Sequence, residues 1–141
     1  MILDASVAAN WFLKGERYEV ESLRLRQDYE EGNVVLQPPS LILYEVCNTI
    51  WKRRDIAAEQ TGKLAEAVSS YLGNFTVSLS PQSYRRAVSN ARAWNVTVYE
   101  SSYATMAQET NSPLITADED LTKRLSRVFV PHIFVANYKP T

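Results

Sequence analysis

Residues 113–125 read PLITADEDLTKRL. The first four, PLIT, are apolar or β-branched and have the character of a short strand. Asp118, Glu119 and Asp120 follow almost at once and lead into residues whose pattern predicts a helix over 118–127. A strand running straight into an acid-led helix is the unit from which parallel sheets are built. Whether the chain repeats that unit decides its fold.

Outward from this stretch the pattern recurs. Residues 1–3 predict a first strand and 6–13 a short helix. A second helix spans 17–31 and is stopped by Gly32 and Asn33, and 34–36 is a strand. Pro38-Pro39-Ser40 opens a helix over 41–54, with Ser40 as N-cap, and 58–72 forms another helix before Gly73-Asn74. The alternating run FTVSL, 75–79, reads as a strand. Ser80-Pro81 starts a helix that reaches Trp94, since proline suits the first helical position. Residues 95–98 form a strand-to-helix junction before a helix over 99–110. Residues 128–135 are a last extended segment, with Pro131 placing it at an edge or a bend. Strands alternating with helices imply a parallel sheet covered on both faces. The predicted fold class is therefore α/β, a three-layer α/β/α sandwich with a central, mainly parallel sheet, in one domain over residues 1–141.

The totals exclude several classes. A formal net charge of −1 provides no global basic field to draw in nucleic acid. One cysteine, Cys47, rules out an intrachain disulfide, and with one histidine, His132, it cannot build a Cys/His zinc site. Four glycines form no phosphate-cradling loop or dinucleotide-binding turn. No apolar run is long enough for a membrane span. The opening MILDASVAANWF has no basic segment and carries an acid at position 4, unlike a signal peptide, so a cytoplasmic location is expected.

The acids have a pattern of their own. In open α/β sheets the ligand site lies outside the edge formed by the strand C-termini. Asp4 follows the first predicted strand, Glu100 opens the helix after NVTV, and Asp118 and Asp120 follow PLIT. Glu45 sits among Leu41, Ile42, Tyr44, Val46 and Cys47, where an acid needs a partner if buried. Helix-dipole stabilisation explains any one first-turn acid. Convergence of all of them on one edge has another consequence: neighbouring carboxylates repel unless some are protonated or a cation joins them. Oxygen donors without imidazole or thiolate favour Mg²⁺ or Mn²⁺, which suits phosphodiester hydrolysis.

On these residues the chain resembles a known family. ILDASV, LYEVCN, VYESSYATMA and PLITADEDL are similar to the four acidic motifs of PIN-domain ribonucleases, and most of all to VapC-type toxins of prokaryotic toxin–antitoxin pairs. The resemblance runs from residue 2 to residue 121 in the family's order. It implies an endoribonuclease that uses Mg²⁺ or Mn²⁺. The metal-binding and catalytic acids would be Asp4, Glu45, Glu100 and Asp118, with Asp120 as an auxiliary ligand. Ser6 and Thr116 would be supporting hydroxyls beside them. Glu100 departs from the pattern, because the family most often has aspartate there. The resemblance also implies a homodimer and a cognate antitoxin that inserts a peptide into the active-site groove.

An RNA substrate requires phosphate contacts. Basic residues cluster as Lys52-Arg53-Arg54, as Arg85-Arg86, and as Lys123-Arg124 with Arg127. Lys123, Arg124 and Arg127 follow Asp118 on its own helix and are the nearest candidates. Trp11, Phe12, Trp51 and Tyr71 lie on predicted helices and fit either an interface or the core. If basic side chains hold phosphates, log affinity for RNA falls linearly as log salt rises. Anisotropy titrations over a salt series test this, and a flat response would remove these residues from the RNA site.

Overall fold

Ile2 and Leu3 are wholly buried, and so are Leu114, Ile115 and Thr116. A strand residue points to one face and its neighbour to the other. Unbroken burial along both strands therefore means that helices cover the sheet on both sides, as in buried parallel sheets. The computed structural model describes residues 1–140. Strands β1 (Ile2–Leu3), β2 (Leu114–Thr116) and β3 (His132–Phe134) pair in parallel in the order β1-β2-β3, with β2 central. Leu3 lies opposite Ile115, and Ile115 opposite Ile133.

Among the described residues seven α-helices accompany this sheet. They are α1 (Ala5–Ala8), continued by a 3₁₀ turn at Ala9–Trp11, α2 (Glu19–Glu30), α3 (Ile42–Lys52), α4 (Ala58–Leu72), α5 (Pro81–Trp94), α6 (Val98–Thr110) and α7 (Glu119–Arg127). A second 3₁₀ turn, Val135–Asn137, follows β3. The α/β/α sandwich expected from the sequence is the fold observed. Among the described residues no helix is long and apolar enough to cross a membrane.

Three expected strands differ from the structure, each for a local reason. Residues 34–36 form no strand, although Met1 donates to the Val35 carbonyl and accepts from the Gln37 amide, which sets Leu36 beside β1. Residues 75–79 contribute one parallel bridge, Val77 to Pro39. Pro38 and Pro39 have no amide hydrogens, so the pairing cannot lengthen on that side. Residues 95–98 are a helix-to-helix turn. Asn95 adopts a left-handed conformation (φ 54°) that ends α5, and Thr97 caps α6 at once, leaving nothing to pair.

Smaller differences concern helix ends. The α3 helix begins at Ile42 without a side-chain cap, so Ser40 does not cap it. Tyr18, with φ 64°, delays α2 to Glu19. The Ser80 cap does form, accepting from the Ser83 amide. Of the four aromatics expected on helices, Trp11 and Phe12 each pack edge-to-face on Tyr71, at 5.9 and 6.3 Å. Trp51 remains 60% exposed.

Ile115 lies at the middle of β2, the central strand of the sheet. Replacing it by alanine should cost about 3 kcal/mol of unfolding free energy, against under about 0.5 kcal/mol for Val35→Ala on the surface. Urea denaturation of both variants measures the difference, and equal midpoints would contradict this view of the core.

Candidate functional site

The C-terminal ends of β1 and β2 lie side by side, because the Asp4 amide donates to the Ile115 carbonyl at 3.0 Å. Asp4 is the residue after β1, and its carboxylate is 8% exposed. One oxygen, Oδ2, accepts from Ser6 Oγ at 2.5 Å and from Thr116 Oγ1 at 2.6 Å. Each hydroxyl also accepts from a backbone amide beyond β2: Ser6 from Ala117 at 2.9 Å and Thr116 from Asp118 at 3.0 Å. Two small hydroxyls thus convert backbone amides into an oriented donor pair for one buried carboxylate. Burial raises the Asp4 carboxyl above its ordinary range; the hydroxyl bonds pull it back, and nearby Asp118 pushes it up again.

Glu45 reaches the same edge from the first turn of α3. Its Oε2 accepts from the Tyr103 hydroxyl of α6 at 2.5 Å. Burial, with Asp4 and Glu100 nearby, raises its carboxyl to about 7, against the lowering effect of the Tyr103 bond. The Tyr103 hydroxyl is itself pushed up by burial and by the charges of Asp4 and Glu45, so it stays a donor.

Glu100 sits in the first turn of α6. Thr97 Oγ1 accepts from the Glu100 amide and Glu100 Oε2 accepts from the Thr97 amide, at 3.1 and 2.8 Å. These two bonds form a capping box. The other oxygen, Oε1, is held by Arg124 Nη2 of α7 at 3.0 Å. Asp118 is the N-cap of α7, with Oδ1 accepting from the Asp120 and Leu121 amides.

Asp4, Glu45, Glu100 and Asp118 all line one cleft of about 290 Å³, together with Ser6, Asn48, Thr49 and Lys52. Asp120 stands apart. Its side chain is largely exposed, pairs with Lys123 at 3.2 Å, and borders an adjoining cleft that Asp118 also reaches. Thr116 is wholly buried behind Asp4. Lys123 and Arg127 are on the surface, whereas Arg124 turns inward to Glu100.

The donor set fits a hard divalent cation, being carboxylate and hydroxyl oxygens without thiolate or imidazole. The raised carboxyls of Asp4 and Glu45 are the strain that such a charge relieves. Among the described residues, no three acids already stand as a closed ion shell. Glu100 and Asp118 are occupied with helix amides and Arg124, a partial donor set that would suit Mg²⁺, which keeps several waters.

Two residues of this cluster escaped sequence reasoning. Tyr103 is three residues after Glu100 on one helix, so both face the same way, and that spacing could have shown it. Thr97 with Glu100 forms the T-x-x-E signature of a capping box, also readable in advance. Lys52 appeared only as part of a basic cluster, and its place in the acid cleft depends on how α3 packs.

Comparison with known proteins agrees with this geometry. The PIN-domain family matches over residues 1–127, and the chain belongs to it. PIN domains are generally metal-dependent nucleases. Among solved structures the chain is similar to PAE2754 from Pyrobaculum aerophilum, with 21% identity and a TM-score of 0.63, covering 87% of this chain and 82% of that one. It is also similar to FitAcB from Neisseria gonorrhoeae, with 10% identity and a TM-score of 0.67, covering 97% and 99%. At these identities the likeness concerns the fold alone. No curated protein matches the chain.

The Glu45 carboxyl sets a pH dependence. In the metal-free protein it holds its proton up to about 7, against 4.5 ordinarily. The folded state therefore binds more protons than the unfolded state between those values, and stability falls as pH rises through that window. After allowance for its partial exposure, the loss is on the order of 1–2 kcal/mol. Thermal melts in EDTA from pH 4.5 to 8 should show the decline in the native protein and a shallower one in Glu45→Gln. Parallel curves would remove Glu45 as its source.

Proposed function

We propose that this PIN domain, taken as one unit over residues 1–141, is an endoribonuclease that hydrolyses RNA phosphodiester bonds with Mg²⁺ or Mn²⁺. The observation that carries the reading is the gathering of Asp4, Glu45, Glu100 and Asp118 in one cleft, with Asp4 and Glu45 raised by burial. In this reading those four acids hold the cation. Bound there, it would lower the pKa of a coordinated water and offset charge developing on the phosphate.

The chain's own groups do the rest. Ser6 and Thr116 fix one oxygen of Asp4 and leave the carboxylate a single orientation. Tyr103 does the same for Glu45 from within α6. Lys52 lines the cleft without an acidic partner among the described residues, and is placed to meet a phosphate. Lys123 and Arg127 would meet flanking phosphates, and Arg124 would do so after leaving Glu100. Asp120 would be an auxiliary acid acting from outside the cleft.

The finer identity follows from the resemblance of the four motifs to VapC-type toxins. On that reading the protein is the cytoplasmic toxin of a toxin–antitoxin pair, a homodimer restrained by a cognate antitoxin. An alternative has its own support: both oxygens of Glu100 are engaged, by the Thr97 amide and Arg124, as in a binding module with a disabled site.

Cleavage of labelled single-stranded RNA decides between them. We expect cleavage with Mg²⁺ or Mn²⁺, none in EDTA, and a rate at least about a hundredfold lower in Asp4→Asn, the loss expected when a metal-holding charge is removed. RNA left intact by folded protein in both metals would favour the disabled site.

A further inference from the structure

The solvent side of α3 has a composition that folding does not explain. Tyr44, Asn48, Trp51 and Lys52 are all exposed, Tyr44 to 81% and Trp51 to 60%. Spaced i, i+4, i+7 and i+8, they form one stripe along the helix. Two large aromatics in water on one stripe add nothing to the core.

The C-terminal end of the stripe, with Arg54 just beyond α3, is also electropositive within a chain of net charge −1. Arg53 is neutralised by Glu16 and Asp55 at 2.7 and 2.6 Å. Lys52 and Arg54 have no acidic partner among the described residues. The Arg54 guanidinium lies over the Trp51 ring, 5.1 Å from its centroid.

The stripe separates two hollows. On one flank Glu45, Thr49 and Lys52 line the acid cleft. On the other, Trp51 and Arg54 line a groove of about 480 Å³ between α3 and α4 that contains no carboxylate. Its far wall includes Gly62, where nothing lies within 4 Å of the position a Cβ would take.

We propose that this stripe is a binding track for single-stranded RNA, with Trp51 and Tyr44 stacking unpaired bases and Lys52 and Arg54 holding phosphates. The proposal rests on the reading of the acid cleft as an RNA-cleaving site, and it specifies how the strand leaves that cleft. The strand passes from the acids across α3 and lowers a base into the groove beside Trp51. Aromatic faces accept bases only when these are unpaired, which selects single strands over duplexes. The two free cations and the absence of carboxylates in the groove favour a polyanion over a protein segment.

The test is anisotropy of a fluorescein-labelled single-stranded RNA decamer with the whole protein in EDTA, where cleavage is blocked. Trp51→Ala and Tyr44→Ala should each weaken binding about tenfold, and Trp51→Phe should retain most of it. Lys52→Ala and Arg54→Ala should each reduce the salt slope by about 0.7. Gly62→Leu, which fills the groove and favours the helix, should weaken binding without changing the slope. The matching duplex should bind independently of Trp51. RNA binding by these variants within about twofold of the wild type would overturn the track. So would loss of self-association on gel filtration with RNA binding intact, which would make the stripe a protein interface. No decamer binding by the wild type also overturns it. Failure of the nuclease reading shows separately, as uncleaved RNA in Mg²⁺ and Mn²⁺.

Discussion

A carboxylate almost out of water at the end of a parallel strand has to be solvated by the protein itself. Asp4 is that group, and the bonds of Ser6 and Thr116 to its Oδ2 supply the solvation. The same hydroxyls take the amides of Ala117 and Asp118, so they also join the exit of β1 to the exit of β2. Charge-assisted bonds of this kind are among the stronger ones available to a side chain. Had these positions carried apolar residues, the buried carboxylate would keep only its backbone bond to Ala5 and the two strand ends would lose their side-chain tie. The site is thus part of what registers the sheet, and fold and chemistry share the same atoms.

The other acids meet the same cost in different ways. Glu45 has a neutral donor, Tyr103, which orients it without supplying charge, and its carboxyl rises to about 7. Glu100 has a full countercharge in Arg124. Asp118 is solvated by the free amides that begin α7, a ready-made anion site. The cleft therefore grades from a buried side at Asp4 and Glu45, where both carboxyls are raised, to a side at Glu100 and Asp118 held by Arg124 and helix amides. An added cation would gain most on the first side, where neither carboxyl is paired with a basic side chain.

Much of this was legible in the sequence, because strand, acid and helix succeed one another within a few residues. PLITADEDL contains β2, the Asp118 cap and the start of α7 without interruption. Asp4 and Asp118 followed from one rule about strand ends and Glu45 from its apolar helical surroundings, whereas Glu100 arrives by another route. It comes from a turn between two helices, where NVTV forms caps and no strand. A four-residue β-branched run cannot declare which it will be, since Asn95 and Thr97 serve turns as readily as Val96 and Val98 serve strands. The missing outer strands failed for a different reason. FTVSL alternates correctly, but the segment it meets is Pro38-Pro39, and pairing depends on the partner as much as on the run itself.

The glutamate at position 100 has a structural cause. A capping box needs the third helical residue to reach back to the N-cap amide, and glutamate is long enough to do so. Glu100 does this with Oε2, leaving Oε1 directed toward Arg124 and the cleft. Aspartate, one methylene shorter, would give up the reach to the Thr97 amide. The extra methylene therefore lets the carboxylate tie itself to its own helix start while still lining the cleft. One residue serves a helix terminus and a charge cluster, and the two roles pull it in opposite directions. Arg124 sits where that competition is decided. Its guanidinium holds Oε1 while its Nε is buried without a partner, so the arginine is itself incompletely satisfied by the arrangement. An unpaired buried donor on a cation weakens its hold, because the desolvation cost remains while only part of the guanidinium is compensated. Of the four acids, Glu100 is thus the one whose position depends on a contact that a phosphate could match.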